Sequence, residues 1–129
     1  MTSRRSLRDE SERGSVSILV AVIIAVVVVL ALGTADVARV LATAASAQTA
    51  ADASALAAVQ ELAMPSGLVP AEVASEYAER NGAFLVSCEC PVESFEAVVT
   101  VRMPVGALLL FGDGRLVEAV ARAVVDLPA

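Results

Sequence analysis

The chain has 129 residues and a net charge of −6, with no histidine and no tryptophan. Beside an apolar leader, that length folds one small domain at most. The chain is 57% apolar but only 3% aromatic, so alanine and valine carry the hydrophobicity and close backbone packing is expected. All nine basic residues are arginine against fifteen acids. This balance argues against nucleic acid, whose binding needs clustered Lys/Arg to displace counterions.

Residues 1–14 hold Arg4, Arg5, Arg8 and Arg13 against Asp9, Glu10 and Glu12 and read as a polar, disordered tail. Behind them Ser15–Ala35 runs 21 residues without a charge. A helical span of the hydrocarbon core needs roughly 20 apolar residues. The four arginines ahead of the segment place the N-terminus in the cytoplasm and residues 36–129 outside. A signal peptide has a shorter apolar core of about 7–15 residues and a small-residue cleavage site. Gly33-Thr34-Ala35 and Ala45-Ser46-Ala47 both have that form, the first directly behind the run, but the length of the core favours a retained anchor.

From Asp36 to Ala63 there is no proline or glycine, and alanine, the best helix former, dominates. One helix is therefore expected from about Val16 to Ala63, ending at Met64-Pro65-Ser66-Gly67. Its projecting half carries a ridge of small residues four apart: Ala38, Ala42, Ser46, Ala50, Ser54 and Ala58. Such rows let helices interlock closely. A second, more apolar stripe runs through Val37, Leu41, Ala44, Ala51, Ala55, Val59 and Leu62. Asp36 and Arg39 stand at i, i+3, close enough to pair.

Pro70–Asn81 reads as a second helix, opened by proline and closed by Asn81-Gly82. Glu72, Glu76, Glu79 and Arg80 line its wet face, with Val73, Tyr77 and Ala78 inward. Beyond Gly82 the period changes. Ala83–Cys88 reads as a strand, and Ala97–Met103 alternates with Ala97, Val99, Val101 and Met103 on one face. Val105–Phe111 is a hydrophobic connection and Gly112-Asp113-Gly114 a turn. Leu116–Leu127 fits a strand by its alternation and valine content; Leu116, Val120, Ala123 and Leu127 would also suit a short helix.

Catalytic and metal chemistry need convergent nucleophiles, bases or ligands. Without histidine the commonest of these is missing, and neither an enzyme, a metal site, a cofactor nor a small-molecule substrate is expected. Cys88-Glu89-Cys90 offers two thiols, short of a four-coordinate zinc site. Outside the cytoplasm they are expected to oxidise, either to a tight C-x-C ring or between chains.

The stretch from Glu12 to Leu62 resembles the N-terminal region of TadE/TadG-like proteins. Three elements carry the likeness: Arg13-Gly14 before the span, Asp36-Val37-Ala38-Arg39 after it, and the helix Ala47-Gln48-Thr49-Ala50-Ala51-Asp52-Ala53-Ser54-Ala55-Leu56-Ala57-Ala58. Residues 81–105 look like the short actinobacterial members of that group. The resemblance implies a pseudopilin-like component of a tight-adherence (Flp pilus) secretion apparatus. Its partners would be the lipid bilayer and other pilus or secretion subunits. It also raises cleavage between Gly14 and Ser15, as a prepilin peptidase performs. Pilin-type substrates often carry a glutamate five residues after the cleaved glycine; here that position is Leu19.

The expected fold is α+β and pilin-like. It comprises a cytoplasmic tail (1–14), a transmembrane segment (15–35), an extracytoplasmic continuation of its helix (36–63) and a small domain (68–129) of one helix and a three-stranded antiparallel sheet. The alternative to an anchored structural subunit is a secreted binding or adhesin-like module released by cleavage near Ala35.

Overall fold

The computed structural model describes residues 3–126 and Pro128, with side chains from Gly14 onward. Helix α1 spans Ser3–Ala63 and α2 spans Pro70–Arg80; strands β1, β2 and β3 span Phe84–Glu89, Glu96–Pro104 and Leu116–Val124. The fold is α+β, with the long helix leading into one short helix and a three-stranded sheet.

Helix α1 has 61 residues. At 1.5 Å per residue it is about 90 Å long. It runs unbroken through Gly33. It also begins earlier than the composition implied: the tail expected to be irregular is helical from Ser3. At the other end Met64 makes the last main-chain bond, to the Gln60 carbonyl, and Pro65 has no N–H with which to continue.

The sheet is an antiparallel meander in the order β1-β2-β3. Val99 faces Cys88 on one side and Ala121 on the other, and Val101 faces Leu85 and Ala119. A bulge at Val86 shifts the β1 register between Leu85 and Ser87. Directly opposed residues share a face, so Ala97, Val99, Val101 and Met103 of β2 join Ala119, Ala121 and Ala123 of β3 in one buried layer. That layer packs on α1 through β2 and β3, while α2 packs on α1 and β1. Val99 and Val101 are fully buried, each worth roughly 1.5–3 kcal/mol of transfer free energy.

The pairing of β3 resolves the ambiguity of residues 116–127 in favour of strand. Leu116 and Val120, which a helix would have turned inward, lie exposed on the open face of the sheet. Leu127 lies outside the described residues. Helix α2 departs from expectation at one position. Ala74 and Ala78 are its buried residues, whereas Tyr77, expected inward, is 38% exposed. Alanines at i, i+4 let α2 approach α1 more closely than a phenol ring would permit. Tyr77 lies at the margin instead, with the Arg80 guanidinium 5.3 Å from its ring centroid.

Candidate functional site: the exposed and buried halves of the long helix

From Gly14 through Leu30 every side chain of α1 is exposed, including Ile18, Ile23, Ile24 and five consecutive positions from Val26 to Leu30. An apolar helix uncovered on all sides has no protein core to enter. One long apolar N-terminal helix of this kind fits a membrane anchor. Gly14 and Ser15, the residues flanking the proposed processing bond, sit within the helix and are exposed.

The exposed apolar segment gives way at Asp36, the first fully buried side chain of α1 among the described residues. The Asp36 side chain is fully buried. One carboxylate oxygen accepts the Leu109 N–H at 2.7 Å and the other accepts the Leu110 N–H at 2.7 Å. Two successive N–H groups converging on an anion form a nest. The nest exists because residues 108–112 close a tight turn, with the Leu108 N–H donating to the Gly112 carbonyl. Gly112 has φ +73°, a left-handed conformation that disfavours any side chain. Burial alone pushes the Asp36 carboxyl up, but the bonds from the loop N–H groups and the Arg39 charge outweigh it and hold it below its ordinary value.

Asp36 and Arg39 were expected to pair with one another. Each instead reaches the loop between β2 and β3: Arg39 donates to the Ala107 carbonyl at 2.9 Å. Their charges still interact, but the hydrogen bonds go to backbone groups that sequence spacing could not reveal. One turn of α1 is thereby fastened to residues 107–111 on both donor and acceptor sides.

A second clasp closes the far end of α1. The Glu61 carboxylate accepts the Ser66 N–H at 2.6 Å, the Ser66 hydroxyl at 2.9 Å and the Leu68 N–H at 3.2 Å. Bonds from the Ser66 N–H and hydroxyl, then those from Leu68 and Gly67, hold the Glu61 carboxyl below its ordinary value against the opposing effect of burial. Sequence reading passed over Glu61. Its one signal was an acid standing shortly before Pro-Ser-Gly, a turn with free N–H groups.

The ridge of small residues divides between these clasps. Ala50, Ser54 and Ala58 are fully buried in the chain's own core, whereas Ala38, Ala42 and Ser46 are exposed. The apolar stripe divides likewise: Ala51, Ala55, Val59 and Leu62 are buried, while Val37 and Leu41 are 55% and 65% exposed. The Ser54 hydroxyl is buried with no hydrogen-bond partner. Between the halves, Gln48 bonds Asp52 at 3.1 Å and the Val120 carbonyl on the free edge of β3 at 3.2 Å. At the distal end of the sheet Cys88 and Cys90 are joined within the chain, with Cα atoms 5.5 Å apart.

Two comparisons are empty: no curated protein and no solved structure matches the chain. The third is not. Residues 14–61 match a family model described as "Putative Flp pilus-assembly TadE/G-like". The match contains the apolar segment, Asp36, Arg39, the whole small-residue ridge and Glu61, while the backbone groups that the two carboxylates hold lie beyond it. Over residues 14–61, its N-terminal helix, the chain is similar to the TadE/G-like Flp pilus-assembly family.

Proposed function

We propose that this chain is a single-pass, membrane-anchored, pseudopilin-like subunit of a Flp-type pilus or secretion assembly. Its N-terminus lies in the cytoplasm and residues 36–129 outside, and its role is structural rather than catalytic. The observation that carries the reading is the unbroken passage of α1 from a wholly exposed apolar stretch into one that builds a folded domain. Such a helix can hold a domain at a fixed height above the bilayer. Orientation follows from the four arginines ahead of the span, and an extracytoplasmic domain is compatible with the Cys88–Cys90 bond.

Contact with other subunits falls to the exposed half of the ridge. Ala38, Ala42 and Ser46 offer a strip where a second helix can approach closely, flanked by exposed Val37 and Leu41. Crosslinking in membranes should capture partners through this strip, and Ala42→Leu with Ser46→Leu should abolish the product. A crosslink that survives both changes would remove the strip from the interface.

The mass of the mature protein from membranes tests the anchoring itself. A full-length chain, or one cut after Gly14, retains the span. A mature form beginning near Asp36 and found in the soluble fraction would support the released binding module instead.

A further inference from the structure

The loop between β2 and β3 carries an apolar run, Leu108–Phe111, that neither the anchor nor the domain core accounts for. Leu108 is buried, but Leu109, Leu110 and Phe111 are 54%, 44% and 55% exposed. Three adjacent large apolar side chains at the tip of a tight turn are costly to leave in water. Their position along α1 identifies what covers them. Leu110 lies against the span at Gly33, where an added Cβ would stand 3.7 Å from its Cδ1. Leu110 and Phe111 then wall a hollow of about 450 Å³ against Val29, Leu30 and Val37. Val29 lies six residues inside the end of the apolar segment at Ala35, about 9 Å along the helix axis. The loop tip is therefore level with the outer part of the span.

We propose that residues 109–111 are a second membrane contact, a wedge that inserts into the outer interface of the bilayer beside α1. The proposal rests on the reading of residues 15–35 as a span. Three features fit a lipid occupant. First, the patch is continuous with the exposed apolar surface of the anchor. Second, backbone can enter a lipid interface only with its polar groups satisfied. The Asp36 carboxylate holds the Leu109 and Leu110 N–H groups. Third, Arg115 places its guanidinium 5.7 Å from the Phe111 ring centroid, the arrangement of a cationic rim over an apolar tip at a headgroup layer. Insertion of this tip draws on apolar area, so zwitterionic lipid suffices.

The chain has no tryptophan, which makes each engineered tryptophan a unique probe. Phe111→Trp, Ile23→Trp in the span and Val92→Trp at the distal loop are each reconstituted as full-length protein in phosphatidylcholine vesicles. The lipids are brominated either near the ester end or near the middle of the acyl chain. Trp emission at 111 should be quenched more by the first lipid, at 23 more by the second, and at 92 by neither. Quenching at 23 without quenching at 111 would overturn the wedge while leaving the span intact. A blue-shifted but unquenched probe at 111 would show that protein covers the loop, and would overturn it equally. Absence of quenching at 23 would remove the span and the wedge with it.

Discussion

Residues 16–30 and residues 47–62 belong to one continuous helix, yet they meet their surroundings in opposite ways. The first stretch is built mostly of valine, isoleucine and leucine, and all of it is exposed. The second is built largely of alanine, and most of it is buried against α2 and the sheet. Large side chains over most of a helix surface suit contact with a fluid apolar solvent. Small ones on one face let backbones approach and share a core. One helix therefore serves two environments through side-chain size, and Asp36 marks the change between them.

The comparison is broken most severely by removing the core of the second stretch. Leu62→Ala deletes the largest aliphatic side chain buried at the end of α1 and should destabilise the domain by about 2–5 kcal/mol. Chemical denaturation followed by circular dichroism measures this. Loss of the domain signal should leave the helical signal of residues 15–35 in place, because the domain does not cover residues 15–30.

Enlarging the ridge sharpens the division at Ser46. Ala58→Leu overpacks a fully buried site and should cost about 1–3 kcal/mol. Ala42→Leu, at an exposed position, should change stability by no more than about 0.5 kcal/mol. Equal effects at both sites would mean that the two halves of the ridge are not distinct. In the same core, Ser54→Ala should be neutral or stabilising by about 1 kcal/mol, since it removes a buried hydroxyl without a partner.

The clasps at Asp36 and Glu61 predict an acid limb. Both carboxyls are held below their ordinary values of 3.8 and 4.5. Their contribution is fully present above those unfolded values and is lost as the pH falls through the lowered folded ones. Protection of the Leu109 and Leu110 amides, relative to their intrinsic exchange rate at each pH, should therefore fall below about pH 4, and Asp36→Ala should produce the same loss of protection at neutral pH. Protection of those amides that is unaffected by either change would rule out the clasp.

A small effect is also expected on the open face of the sheet. Arg102 and Glu118 pair at 2.9 Å with both side chains about half exposed. A double-mutant cycle to alanine should return less than about 1 kcal/mol and fall further with added salt.

Much of this architecture was legible in the residue order. The uncharged run is long enough for a membrane span, and Pro65 and Gly67 set where α1 ends. Alternation in residues 97–103 named the buried face of β2 residue by residue, because side-chain direction in a strand has a period of two. Three things could not be read. Tyr77 looks inward by periodicity, but which residues of a face are covered depends on how near the next helix comes. The small ridge looks uniform in sequence, but only the arrival of the sheet decides that Ala50, Ser54 and Ala58 are covered and Ala38, Ala42 and Ser46 are not. Asp36 and Arg39 look like partners at i, i+3, but their hydrogen bonds are to main-chain groups some seventy positions away. The sequence by itself determined the local matters, namely which segments are helical, extended or apolar enough for lipid, because propensity and periodicity act over a few residues. Tertiary structure alone decided which carboxylates became clasps and which alanines became core, because those outcomes depend on loops brought to the helix from the far end of the chain.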